Sequence, residues 1–210
     1  MVGTLRVYFV RHAESVANVQ HRLASQLDVE LSDLGLRQAE SLARGLRRRV
    51  ELGGIVASPL LRAQQTAQAF SSHYGLPVGT RDELTEQHLG KYSGMTYEQI
   101  ENEPDYCHDR SARWEWVPEG GGESYQMIAE RLRPFFGWLE SGDAPDRLLV
   151  VTHAVTLRII RGYLEHTLPR YPHEIAGNGE VWQVDYHGLG IPHRVETIPV
   201  SEARVIEHGE

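Results

Sequence analysis

The sequence predicts an α/β protein, a three-layer sandwich whose mainly parallel central sheet carries helices on both faces. Short β-branched and aromatic runs alternate with longer runs in which apolar residues recur at helical spacing. Two of the strand-like runs end directly in a histidine, at His12 and His153. Open sheets of parallel strands place their ligands at such strand ends. With 40% apolar and 24% charged residues, the 210-residue chain has the composition and length to bury one sizeable core.

Leu5–Val10 alternates β-branched and aromatic residues and reads as the first strand, ending in Arg11-His12. An irregular stretch from Ala17 to Leu31 follows. Ser32 then caps a helix expected to reach about Glu51, with Leu34, Ala39, Leu42 and Leu46 on one face. The run Arg47-Arg48-Arg49 suits a helix C-terminus and is read as a solvated helix end. Ile55-Val56-Ala57 reads as a short buried strand. Ser58-Pro59 predicts the next helix start, serine as cap and proline in the first position, with Gly75 and Pro77 ending that helix after Tyr74. Arg62 falls in its first turn. A cation there opposes the helix dipole, which points to a task other than helix stability.

Pro77–Arg81 reads as another short strand, leading to Glu83-Leu84-Thr85-Glu86. From Gln87 to Gly122 periodicity dissolves into Gly, Pro, aromatics and charge, with one short helix near Tyr97–Glu103. So long an irregular segment is expected to be a functional lid, and Trp114 and Trp116 argue against simple disorder. Ser124 starts a helix to about Leu139. Arg147–Thr152 is the clearest buried strand, followed by His153 and a helix over Ala154–Leu164. Glu180–Tyr186 and Val195–Pro199 close the chain as two late strands, predicted to pair. The expected organisation is a single domain over residues 1–210 with 87–122 inserted as a lid.

A formal net charge of −8 argues against a nucleic-acid binder, so an anion site must be a local positive pocket. Cys107 is the single cysteine, which rules out an intrachain disulfide and fits a reducing compartment. No basic segment leads into a long apolar one at the N-terminus, and no run approaches spanning length, so a cytoplasmic protein without membrane contact is expected. The eleven histidines are scattered, and neither His166/His173 nor His187/His193 has helical ligand spacing, so no metal site is expected. Oligomeric state is not readable, a homodimer being one of the open states.

If the parallel strands share one edge, Arg11, His12, Arg62 and His153 converge on one cleft. Two guanidiniums and two imidazoles would hold a phosphoryl group without a metal. These residues resemble the histidine phosphatase superfamily, which includes cofactor-dependent phosphoglycerate mutases and many phosphatases. Arg11-His12-Ala13-Glu14-Ser15 with Asn18 is similar to its opening signature, with Ala13 where glycine is commoner. Ser58-Pro59-Leu60-Leu61-Arg62-Ala63 resembles the second block, Leu84-Thr85-Glu86 and Gly90…Gly94 the third, Gly122-Glu123-Ser124 the fourth, and Thr152-His153-Ala154…Arg158 the last. The five blocks occur in the family's order and span most of residues 5–160.

The resemblance implies a phosphoglycerate mutase-like fold and a small phosphorylated metabolite as substrate. It makes His12 the nucleophile, with Arg11, Arg62 and His153 binding the phosphoryl oxygens and Glu86 acting as proton donor and then as base. His12 must then present an unprotonated nitrogen, and Glu86 must carry a proton. Asn18, Ser25 and the Ala154 N–H are implied secondary contacts. From the lid, His88, Tyr92 and Arg113 are candidate substrate contacts, with Arg110, Trp114 and Trp116 beside them. Alone, each of these residues also reads as a structural or surface residue. Tyr97 stands where the mutases keep a lysine, no Arg-Arg pair follows, and Val155-Thr156 replaces their Asn-Ser. A site with fewer cations lets water compete, so hydrolysis is favoured. The alternatives are a cofactor-dependent phosphoglycerate mutase and a non-catalytic phosphate-ligand binding module.

Overall fold

A computed structural model describes residues 5–174 and 176–200. Six strands, β1 (Leu5–Arg11), β2 (Gly54–Ala57), β3 (Val78–Thr80), β4 (Arg147–Thr152), β5 (Val181–Tyr186) and β6 (Glu196–Ile198), form one sheet in the order β3-β2-β4-β1-β5-β6. The first four are mutually parallel, and β5 and β6 add antiparallel at one side. The helices are α1 (Val16–Val19), α2 (Asp33–Arg47), α3 (Leu61–Tyr74), α4 (Tyr97–Glu101), α5 (Tyr125–Glu140) and α6 (Ala154–Leu164).

The alternation along β1 builds the three layers. Val7 and Phe9 face one side and pack with α5 and α6 residues such as Ile128, Leu132, Phe136 and Ile160. Tyr8 and Val10 face the other and pack with Leu42, Leu46, Ala63 and Phe70 of α2 and α3. Both sides of β1 and β4 are buried, as parallel sheets require. Each buried Leu, Ile or Phe contributes about 1.5–3 kcal/mol by leaving water.

Register positions the chemistry. Arg11 pairs with Thr152, and Ala57 with Val151, so β1, β2 and β4 end at one edge of the sheet. His12, Ser58 and His153 are the next residues along each chain. Gly35 lets the start of α2 approach the first strand–helix turn, since a Cβ there would lie 1.9 Å from the Glu14 carbonyl oxygen.

Two helix boundaries differ from the sequence expectation. Capped by Ser32, α2 ends at Arg47 rather than near Glu51, because the chain turns to bring Gly53 onto β4 through its bond to the Arg147 carbonyl. The α3 helix begins at Leu61, with Leu60 at its N-cap and no side-chain cap. Ser58 is diverted: its hydroxyl faces His153 instead. Ser124 does cap α5, and the two late strands pair antiparallel.

Residues 87–122 hold α4 and two 3-10 turns around a small core of their own. Leu89, Tyr92, Ile100 and Tyr106 are buried there, with Leu23, Met95 and Trp116 packed against them. Tyr106 meets Tyr92 and Trp116 edge-on at 5.1 and 5.2 Å between centroids, the favoured geometry for aromatic pairs. No helix among the described residues is long and apolar enough to cross a membrane.

Candidate active site

A cavity of about 420 Å³ opens over the shared strand edge, lined at its base by Arg11, His12, Arg62, Glu86, Ala154 and Val155. His12 is 5% exposed. Its Nδ1 lies 2.7 Å from its neighbour's carbonyl, that of Ala13, and only a protonated Nδ1 can donate there. The lone pair therefore sits on Nε2, where Arg62 Nε donates at 3.3 Å. Burial, and then the Arg62 and Arg11 guanidiniums, hold His12 well below the usual imidazole range, so the ring is neutral.

Arg62 is held from behind. Its terminal nitrogens donate to the Leu27 carbonyl at 2.9 Å and the Ser25 carbonyl at 2.7 Å, which fixes the guanidinium plane beside His12. Arg11 donates to the Ala176 carbonyl at 3.3 Å, and its buried Nε has no protein partner.

His153 is fully buried, 5.2 Å from His12 between ring centroids. Its Nε2 lies 2.7 Å from Ser58 Oγ, and its buried Nδ1 has no protein partner. Burial, followed by Arg62, His12 and Arg11, keeps this imidazole well below its usual range as well. Ser58 Oγ already accepts from the Leu60 amide at 3.3 Å, so its own proton is directed to His153 Nε2. Assigned from this network, neutral His153 carries its proton on Nδ1, the same tautomer as His12, whose Nδ1–H meets the Ala13 carbonyl.

Glu86 sits beside the start of α6, where its carboxylate accepts from the Val155 and Thr156 amides at 3.3 Å each and from Gln87 N at 2.9 Å. Arg131 braces this loop. It donates to the Glu83 and Thr85 carbonyls at 2.6 and 3.0 Å and pairs with Glu123 at 2.9 Å. Sequence reasoning did not single out Arg131, although its place on α5 after Glu123 was a usable signal.

The other predicted contacts divide. Asn18 lines the cavity, but its Oδ1 is occupied by Ser15 in a capping box, leaving its amide group for a ligand. The Ser25 hydroxyl donates to the Gln87 carbonyl and accepts from Leu89 N, so it ties two loops together. Its φ of +50° shows how tightly that loop turns. Arg113 lines the cavity. His88 and Tyr92 do not: His88 Nδ1 accepts from Gly90 N, and Tyr92 lies in the small core. Trp116 packs in that core too, and Trp114 packs against the main core.

The expectation of a cation-poor site is also corrected. Arg22, Arg110 and Arg158 line the cavity together with Arg113. They come from separate segments, so a search for adjacent arginines could not find them. Among the described residues no group of three or more His, Cys, Asp or Glu side chains is placed to hold a metal.

Fold and site together define a phosphate-ester hydrolase of the α/β class, built on two strand-end histidines. The chain belongs to the histidine phosphatase superfamily (branch 1), which it matches over residues 7–193. It is 38% identical over 156 residues to glucosyl-3-phosphoglycerate phosphatase of Mycobacterium tuberculosis (strain CDC 1551 / Oshkosh), covering 70% of this chain and 68% of that one. It is 32% identical over 160 residues to phosphoglycerate mutase-like protein 4 of Arabidopsis thaliana, covering 75% and 70%. The solved structure of mycobacterial glucosyl-3-phosphoglycerate phosphatase with VO3 superposes with a TM-score of 0.80 at 30% identity, over 94% of this chain and 100% of that one.

Proposed function

We propose that this phosphatase hydrolyses a small phosphorylated metabolite in the cytoplasm, without a metal, through a phosphohistidine on His12. The observation that carries the reading is the His12 ring: Nδ1 is committed to the Ala13 carbonyl and Nε2 presents its lone pair beside Arg62.

Nε2 attacks phosphorus, the P–N bond forms, and the ester P–O bond breaks with its electron pair going to the alcohol oxygen. Glu86 gives that oxygen a proton. The resulting carboxylate takes a proton from water, whose oxygen attacks phosphorus from the opposite side. The P–N bond then breaks and its pair returns to Nε2, releasing inorganic phosphate. Arg11, Arg62 and the Nδ1–H of His153 hold the equatorial oxygens, with the Asn18 amide and the Ala154 N–H as further donors.

The test is release of phosphate from a panel of phosphomonoesters in EDTA, with His12→Ala as control. Turnover by the wild type alone is expected. Transfer from 2,3-bisphosphoglycerate to a phosphoglycerate without net hydrolysis would make the protein a mutase. Binding without either reaction would make it a phosphate-ligand binding module.

A further inference from the structure

His12 keeps its lone pair on Nε2 because its Nδ1 proton is committed to the Ala13 carbonyl at 2.7 Å. That carbonyl must itself be held, since a peptide free to turn would aim its oxygen elsewhere. The peptide group joining Ala13 to Glu14 is bonded at both ends. Its oxygen meets the imidazole, and its N–H, that of Glu14, donates to Gln38 Oε1 at 3.0 Å. The preceding peptide is tied too: Ala13 N donates to Thr66 Oγ1 at 3.1 Å, and that hydroxyl donates to the Arg62 carbonyl at 2.8 Å. The two peptides flanking Ala13 are thus gripped by α2 on one side and α3 on the other.

The grip from α2 is built along one face of that helix. Gly35 lets the helix approach, since a Cβ there would lie 1.9 Å from the Glu14 carbonyl oxygen. Gln38, three residues on, shares that face and reaches the Glu14 amide. Ser32 completes the attachment, its N–H donating to the Glu14 carbonyl at 3.0 Å and its hydroxyl to the Glu14 carboxylate at 2.6 Å. Ala13 and Thr66 are fully buried, Gln38 is half-buried, and none of the three lines the cavity.

We infer that Gln38 is a positioning residue for the nucleophile: through the Ala13–Glu14 peptide it aims the Ala13 carbonyl at His12 Nδ1 and so keeps the attacking lone pair on Nε2. This role rests on the phosphatase reading above, in which Nε2 attacks phosphorus. A peptide that donates through its N–H is also a better acceptor at its oxygen, because both hydrogen bonds polarise the group in the same sense. Gln38 therefore acts on the reaction without touching the substrate.

The experiment follows p-nitrophenol release from p-nitrophenyl phosphate in a single turnover, together with steady-state kcat and KM. Long-range 1H–15N spectra report the His12 tautomer. Gln38→Leu removes the acceptor at similar volume, whereas Gln38→Glu keeps an oxygen there. Gln38→Leu should slow the single turnover by roughly five- to fiftyfold with KM little changed, as expected for a buried N–H left without its acceptor. His12 should change from the Nδ1–H form alone to a mixture of the two tautomers. Gln38→Glu should restore most of the rate and the single tautomer. Gln38→Met repeats the test should leucine disturb α2. A single-turnover rate equal to the wild type's, or a slower one with the His12 tautomer unchanged, overturns the positioning role and leaves the phosphatase standing. A wild type that releases no p-nitrophenol overturns the phosphatase reading itself.

Discussion

Ser58 Oγ lies 2.7 Å from His153 Nε2, joining the end of β2 to the end of β4 beneath the cavity. Both residues are fully buried. The serine that the sequence offers as a helix cap instead fixes which nitrogen of His153 carries the proton.

Ser58→Ala should therefore lower kcat more than it raises KM, by roughly five- to hundredfold for the loss of a buried hydrogen bond. Ser58→Thr should restore most of the rate. Long-range 1H–15N spectra of the ring should show the Nδ1–H tautomer of His153 in the wild type and a mixture in Ser58→Ala. An unchanged tautomer in the alanine variant would show that Ser58 does not set it.

The two histidines should make the fold acid-sensitive while sparing the nucleophile. Both are held below the usual imidazole range by burial and then by neighbouring cations, whereas in the unfolded chain they titrate near about 6.5. Below that pH the unfolded state takes up more protons than the native state, so stability is full above it and falls as pH drops toward the depressed native values. Thermal melts from pH 7.5 to 5 should show a shallower decline for His153→Gln than for the wild type. On the acid side kcat/KM should persist below the ordinary imidazole range, because His12 stays unprotonated there. A rate lost at the free-imidazole value would contradict that.

Glu86→Gln should separate bond breaking from proton supply. With an alkyl phosphate, whose leaving group needs a proton, kcat should fall by about 10²–10⁴. With p-nitrophenyl phosphate, whose leaving group departs unaided, formation of the phosphoenzyme should be far less affected. Equal losses of that first step with both esters would remove Glu86 from the donor role.

Tyr92→Ala should test the small core of residues 87–122. Tyr92 is 1% exposed and packs on Tyr106 and Trp116, so truncation removes roughly 3–5 kcal/mol of local packing. Faster amide exchange across 87–122 and a raised KM are expected, with smaller changes in the main sheet. An unaltered KM would mean that this segment does not shape the binding cavity.

The strands and helices of the main layers were legible because their periodicity is strong and burial enforces it: β1 and β4 are buried on both faces, and α2 and α5 carry clean apolar stripes. Register then brings His12 and His153 together, as strand-end placement implied. The misreadings fall where side chains act on the backbone across the fold. Ser58 offers a capping hydroxyl in sequence, but a buried imidazole competes for it. His88 and Tyr92 belong to an aperiodic segment, and nothing local says which of its aromatics face the small core and which the cavity. Arg22 and Arg158 reach one cavity from distant segments, a convergence that no sequence spacing encodes.

The most direct measurement is a rapid quench with a 32P-labelled ester, followed by mapping of the labelled peptide under alkaline conditions that preserve phosphohistidine. Label on the peptide containing His12, formed and lost at rates that match turnover and absent in His12→Ala, is the predicted result. Turnover with no label on His12, or equal turnover in His12→Ala, would contradict nucleophilic catalysis by that residue.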